Sequence, residues 1–90
     1  MRKDIDEQDY RIGFARVMRL AEQAKLRGRK FSDRQLVHEI LQRERAAQIR
    51  EKSSLPIIGT QTRSAAWNRG QADAFRALLR AQRERYGKGV

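Results

Sequence analysis

Arginine is the residue type whose number and spacing in this chain could do chemistry. The 90 residues hold 16 arginines against 5 lysines. A guanidinium donates two parallel hydrogen bonds to a phosphate or to a guanine edge, so spacing decides what an arginine set can reach. At 100° per residue, Arg69, Arg76, Arg80 and Arg83 share a stripe about 60° wide and about 21 Å long. Such a stripe can follow phosphates or enter a groove. Asp73 and Glu84 flank it on one side, and Asp73 is placed to pair with Arg76 or Arg80 at helical spacing. A second basic stretch, Arg11 to Lys30, sets seven cations against Glu22 alone. It contains Arg16 and Arg19 and closes on Arg27, Arg29 and Lys30 around Gly28, where backbone N–H groups are expected to be open to phosphate as well. The plainer reading of both stretches is a solvated face that keeps a small domain soluble.

Little else in the chain offers reactivity. His38, the single histidine, falls about 160° from the middle of its helix's apolar face, with no second His or Cys to converge on a metal or a substrate. Asp4, Asp6, Glu7 and Asp9 crowd the first ten residues. They lack the glycine turn and spaced ligands of a calcium loop, and fit better as carboxylates complementing a helix dipole. Ser53 and Ser54 have no base nearby. There is no cysteine, hence no thiolate nucleophile, disulfide or Cys-ligated zinc. No glycine-rich phosphate loop follows a strand, and no strand is evident. The expectation is a non-enzyme with no cofactor and no metal.

The elements that position these residues read as helices. Tyr10, Gly13, Phe14, Val17, Leu20, Ala21 and Ala24 fall in one arc, giving a first helix over about 4–27 with Gly28 as its stop. Ser32 followed by Gln35 makes a capping box, and Phe31 with Leu36 a hydrophobic staple. They start a second helix over about 32–51 with an apolar face of Leu36, Val37, Ile40, Leu41 and Ala47. Glu44 lies inside that face, where it either pairs with an arginine of a neighbouring helix or marks the limit of burial. Trp67, Ala74, Phe75, Leu78, Leu79 and Ala81 define a third helix over about 63–86. Gly70 sits in its interior and either permits close packing or splits it. At an offset of 57, Tyr10, Gly13, Ala15, Met18 and Arg19 match Trp67, Gly70, Ala72, Phe75 and Arg76. That pattern suits two helices crossing at their glycines.

Length and composition bound the rest. One domain over 1–90, all-α, a small three-helix bundle, is what 39% hydrophobic and 36% charged residues support. The longest uncharged stretch, residues 53–62, is interrupted by Pro56 and cannot span a membrane. Its Leu55, Pro56, Ile57 and Ile58 are too apolar for a solvated linker; the loop is expected either to pack across the bundle or to dock a partner. The acidic start is unlike a signal or transit peptide, so a cytoplasmic protein is expected. The apolar arc of the third helix, about 200° wide, exceeds what a single neighbour needs and is expected to be filled by the loop or by a homodimer.

A net charge of +10 favours polyanions, because neutralising phosphates releases counterions. The turns and aromatics fit neither a helix-turn-helix nor a base-stacking surface. The leading expectation is therefore sequence-independent binding of nucleic acid, duplex DNA in preference to RNA. Arg69, Arg76, Arg80 and Arg83 would form one contact line, with Arg27, Arg29 and Lys30 another. The alternative sets the same arginines on an acidic protein surface, as in a phage- or plasmid-type accessory protein that regulates or inhibits a DNA-processing enzyme.

Overall fold

The computed structural model describes residues 2–52 and 64–87, with side chains for 6–52 and 64–85. It contains three helices, α1 (Arg2–Leu26), α2 (Asp33–Lys52) and α3 (Ala65–Gly87), and no strand among the described residues. The expected loop of residues 53–62, with Leu55, Pro56, Ile57 and Ile58, lies outside the described residues. No described helix is long and apolar enough to cross a membrane.

Each helix begins or ends on identifiable chemistry. Gly28 takes φ 72°, a left-handed conformation that glycine adopts without penalty. There the Arg29 N–H donates to the Ala24 carbonyl at 2.8 Å and the Gly28 N–H to the Lys25 carbonyl at 3.0 Å, the paired bonds of a Schellman stop. At the start of α2 the Gln35 N–H donates to Ser32 Oγ at 3.1 Å and the Ser32 N–H to Gln35 Oε1 at 2.9 Å, so the capping box forms in both directions. Ser64 caps α3: its Oγ accepts from the Trp67 N–H at 3.1 Å and donates to Asp9 Oδ2 at 2.7 Å. This cap places the helix start at Ala65 rather than near residue 63.

α3 is the central element, with α1 packed along one side and α2 along another. Asp9 of α1 meets Ser64 at the start of α3. Further along, Val17 and Met18 join Ala74, Phe75, Leu78 and Leu79 in the core, so α1 and α3 run in the same direction. α2 runs the opposite way: Asp33 reaches Gln82 and Arg83, Glu44 reaches Arg76, and Glu51 reaches Arg69. Both other helices pack on α3, so its wide apolar arc meets two neighbours.

The α1–α3 contact is a backbone crossing. A Cβ on Gly13 would overlap the Trp67 carbonyl, and a Cβ on Gly70 would overlap the Tyr10 carbonyl and press on Phe14 N at 3.1 Å. The offset of 57 relates the two contacts: Gly13 on Trp67 corresponds to Gly70 on Tyr10, with Gly13 matched to Gly70 and Tyr10 to Trp67. The offset similarity in the sequence is thus a pseudo-symmetric crossing, and α3 continues unbroken through Gly70.

Between the helices, Val17, Leu36, Ile40, Ala74, Phe75 and Leu79 form the buried cluster, with Phe14, Met18, Phe31 and Leu78 packed against it. Burial of a Leu, Ile or Phe side chain contributes roughly 1.5–3 kcal/mol. Phe31 and Leu36 meet this cluster together, as the staple requires. Several residues assigned to apolar faces are not covered. Leu20, Val37, Leu41 and Ala81 are exposed. A helical wheel locates an apolar arc, but its outer edge is buried only if a neighbour reaches that far, and among the described residues α1 and α2 each pack on one helix, α3.

Candidate nucleic-acid interface

The four α3 arginines do form the expected stripe, and α2 faces most of it. Arg69 pairs with Glu51, Arg76 with Glu44, and Arg83 Nε lies 3.7 Å from Asp33 Oδ2. Glu44 therefore pairs with an arginine of a neighbouring helix, the first of its two expected roles. Asp73 holds Arg76 from within α3 at 2.9 Å. Among the described residues only Arg80 of the four carries no ion pair. All these pairs sit at the surface, where solvent screens them, and each is worth no more than about 1 kcal/mol.

Of the acids that meet this stripe, Glu44 was expected to find an arginine, whereas Asp33 and Glu51 were legible in the spacing and were missed. At 100° per residue, Asp33, Glu44 and Glu51 fall within about 20° of one another. Glu44 and Glu51 share the seven-residue spacing of Arg69 and Arg76, so an antiparallel helix pair brings these into register, and Asp33, eleven residues before Glu44, meets Arg83 at 3.7 Å.

Asp73 also joins α3 to α1. The Tyr10 hydroxyl donates to Asp73 Oδ2 at 2.5 Å. That hydrogen bond, with burial and the Asp73 charge adding to it, raises the Tyr10 phenol above its ordinary 10.0, against a smaller opposing effect of Arg76. Tyr10, Asp73, Arg76 and Glu44 thus form one polar chain across three helices. Beside it, Glu44, Ala47, Gln48, Arg69, Ala72, Asp73 and Arg76 line a shallow cleft of about 240 Å³ between α2 and α3. Its mixed charges make it a poor anion site.

The turn between α1 and α2 is different. Lys25, Arg27, Arg29 and Lys30 are exposed, and among the described residues Lys25, Arg27 and Arg29 carry no ion pair. The backbone N–H groups of Arg27, Gly28 and Arg29 are not open to phosphate, as the sequence suggested. They donate to Gln23, Ala24 and Lys25 carbonyls of the helix end. Side chains are what this turn offers an anion.

The fold then adds cations that the sequence kept apart. Gln82 Nε2 donates to Asp33 Oδ1 at 2.7 Å, and Arg83 approaches the same carboxylate. These contacts hold the C-terminal turns of α3 beside the α1–α2 turn. Residues 25–34 and 80–85 therefore meet at one end of the molecule, with eight cations against Asp33 and Glu84. Arg80, Arg83, Arg27, Arg29 and Lys30 from the two expected contact lines are brought together there. Arg69 and Arg76 lie farther along α3.

Arg16 and Arg19 of α1 are exposed. Arg16 stacks over Trp67, its guanidinium carbon 5.9 Å from the ring centroid, at the outer limit of a cation–π contact. His38 is exposed on α2, and no cluster of three metal-ligating side chains occurs among the described residues.

The fold and surface define an all-α, three-helix protein with a strongly cationic end. Compared with known proteins, the chain matches no family model, no curated protein and no solved structure.

Proposed function

We propose that the protein is a non-enzymatic nucleic-acid-binding protein that docks on duplex DNA phosphates through the cationic end formed by the α1–α2 turn and the end of α3. The supporting observation is the meeting of residues 25–34 and 80–85 through Asp33, Gln82 and Arg83. It gathers Arg27, Arg29, Lys30 and Arg80 where an extended polyanion can touch several at once. Arginine and lysine side chains contact phosphate oxygens without reading bases, so the docking is sequence-independent and strongly salt-dependent. Arg69 and Arg76 stay outside the docking surface, because Glu51 and Glu44 already engage them. Arg16 and Arg19 extend the basic surface along α1.

The direct test is binding to a labelled random duplex of about 30 base pairs across a salt series. Micromolar affinity that falls steeply with salt supports the reading. Absence of binding at about 50 mM salt contradicts it.

A further inference from the structure

The outer face of α2 has a composition that phosphate docking does not use. At 100° per residue, the sector of α2 running from Glu44 round to Glu39 spans about 220° and contains no acid. Asp33, Glu44 and Glu51 are turned toward α3 arginines, and Glu39 pairs along the helix with Arg43 at 3.1 Å. Within the acid-free sector stand Arg34, Arg45 and Lys52, none in an ion pair among the described residues. Between these cations lie three aliphatic side chains that the fold leaves uncovered: Leu41 at 61% exposure, Ile49 at 60% and Val37 at 37%.

We infer that this face of α2 docks an acidic amphipathic helix of a partner protein. The charge pattern selects that occupant. A second copy would set Arg34, Arg45 and Lys52 against the same cations, with no acid in the sector to answer them. A nucleic-acid backbone would answer the cations and leave Leu41 and Ile49 in water. A helix with leucines on one stripe and glutamates beside it covers the aliphatic residues and pairs with the cations together, over about 27 Å of α2. The inference shares only Arg34 with the cationic end and rests on Leu41, Arg45, Ile49 and Lys52, which lie outside it.

The probe is a synthetic helical peptide of about 18 residues, matched to the length of α2, with a leucine stripe flanked by glutamates. Its scrambled isomer, anionic phosphatidylglycerol vesicles and a random duplex serve as comparisons. Fluorescence anisotropy is expected to give micromolar binding for the peptide and at least about tenfold weaker binding for the scrambled isomer. Leu41→Asn/Ile49→Asn is expected to weaken peptide binding about tenfold while leaving duplex affinity unchanged. Arg45→Glu/Lys52→Glu weakens the peptide comparably, with circular dichroism confirming helix content in both variants. Equal binding of peptide and scramble would reduce the face to non-specific charge and overturn the inference. Binding to vesicles with none to the peptide would overturn it in favour of an anionic lipid surface.

Discussion

The two arginine-rich regions of this molecule share a residue type and differ in what faces them. Along α3, Arg69, Arg76 and Arg83 meet Glu51, Glu44 and Asp33 of the antiparallel α2. At the α1–α2 turn, Arg27 and Arg29 meet no acid among the described residues. The first set helps align two helices, and the second is left to solvent and to whatever anion arrives. Arginine spacing on one helix therefore does not identify a binding surface. The neighbouring helix decides which guanidiniums remain available.

The most disruptive way to break the comparison is to dislodge α3 itself. Gly70→Leu would drive a branched side chain into the Tyr10 carbonyl and Phe14 N across the α1–α3 crossing. Overpacking against backbone that cannot give way is expected to destabilise by about 3 kcal/mol, with a fall in melting temperature of about 12–24 °C for a domain of this size. Calorimetry or thermal circular dichroism checks it. An unchanged transition would show that the helices do not cross as closely as described.

A second change removes the difference without moving the helices. Asp33→Asn/Glu44→Gln/Glu51→Gln deletes the carboxylates facing the α3 stripe and leaves amides of similar shape. Arg69 and Arg83 become available to phosphate while Asp73 still holds Arg76, and duplex affinity is expected to rise on the order of tenfold at low salt with a steeper salt dependence. Stability falls by less than about 1 kcal/mol for each pair lost, because all are partly exposed. Unchanged affinity would mean that the stripe plays no part in docking even when uncovered.

A smaller effect sharpens the account of Asp73, which is shared between Tyr10 and Arg76. Tyr10→Phe removes one hydrogen bond and is expected to lower stability by about 1 kcal/mol near neutral pH. The raised phenol pKa fixes the sign of the pH dependence. The advantage of the wild-type protein is fully present below the unfolded value of 10.0 and declines as pH rises through the higher folded value. Denaturant melts of both proteins at about pH 8 and about pH 11 should show the gap closing. A gap that widens at high pH would contradict the Tyr10–Asp73 bond.

Local chemistry was the part of this fold most legible in the sequence. Ser32 with Gln35 fixed the start of α2, Gly28 the end of α1, and the offset of 57 anticipated the Gly13–Gly70 crossing, because each depends on a few residues and a fixed backbone geometry. What covers each face was not legible. Leu20, Val37 and Leu41 share the periodicity of core residues, yet they stay 45%, 37% and 61% exposed. The placement of α3 between the other helices also depends on tertiary packing, as does the pairing of its arginines with α2. The complementary spacing of Asp33, Glu44 and Glu51 with Arg83, Arg76 and Arg69 was present in the chain, and becomes informative once the helices are known to be antiparallel. The cationic end was half legible: the turn was evident, whereas its union with Arg80 and Arg83 required the Asp33–Gln82 contact.

The central claim, that phosphate docking belongs to the turn end and not to the paired part of the stripe, is tested most directly by the salt dependence of duplex binding. Wild-type protein is compared with Arg27→Ala/Arg29→Ala/Lys30→Ala and with Arg69→Ala/Arg76→Ala. The turn variant is expected to reduce the steepness of log affinity against log salt by nearly 3, about 0.9 for each lost phosphate contact, while the stripe variant leaves it unchanged. A slope that falls in the stripe variant and holds in the turn variant would contradict it.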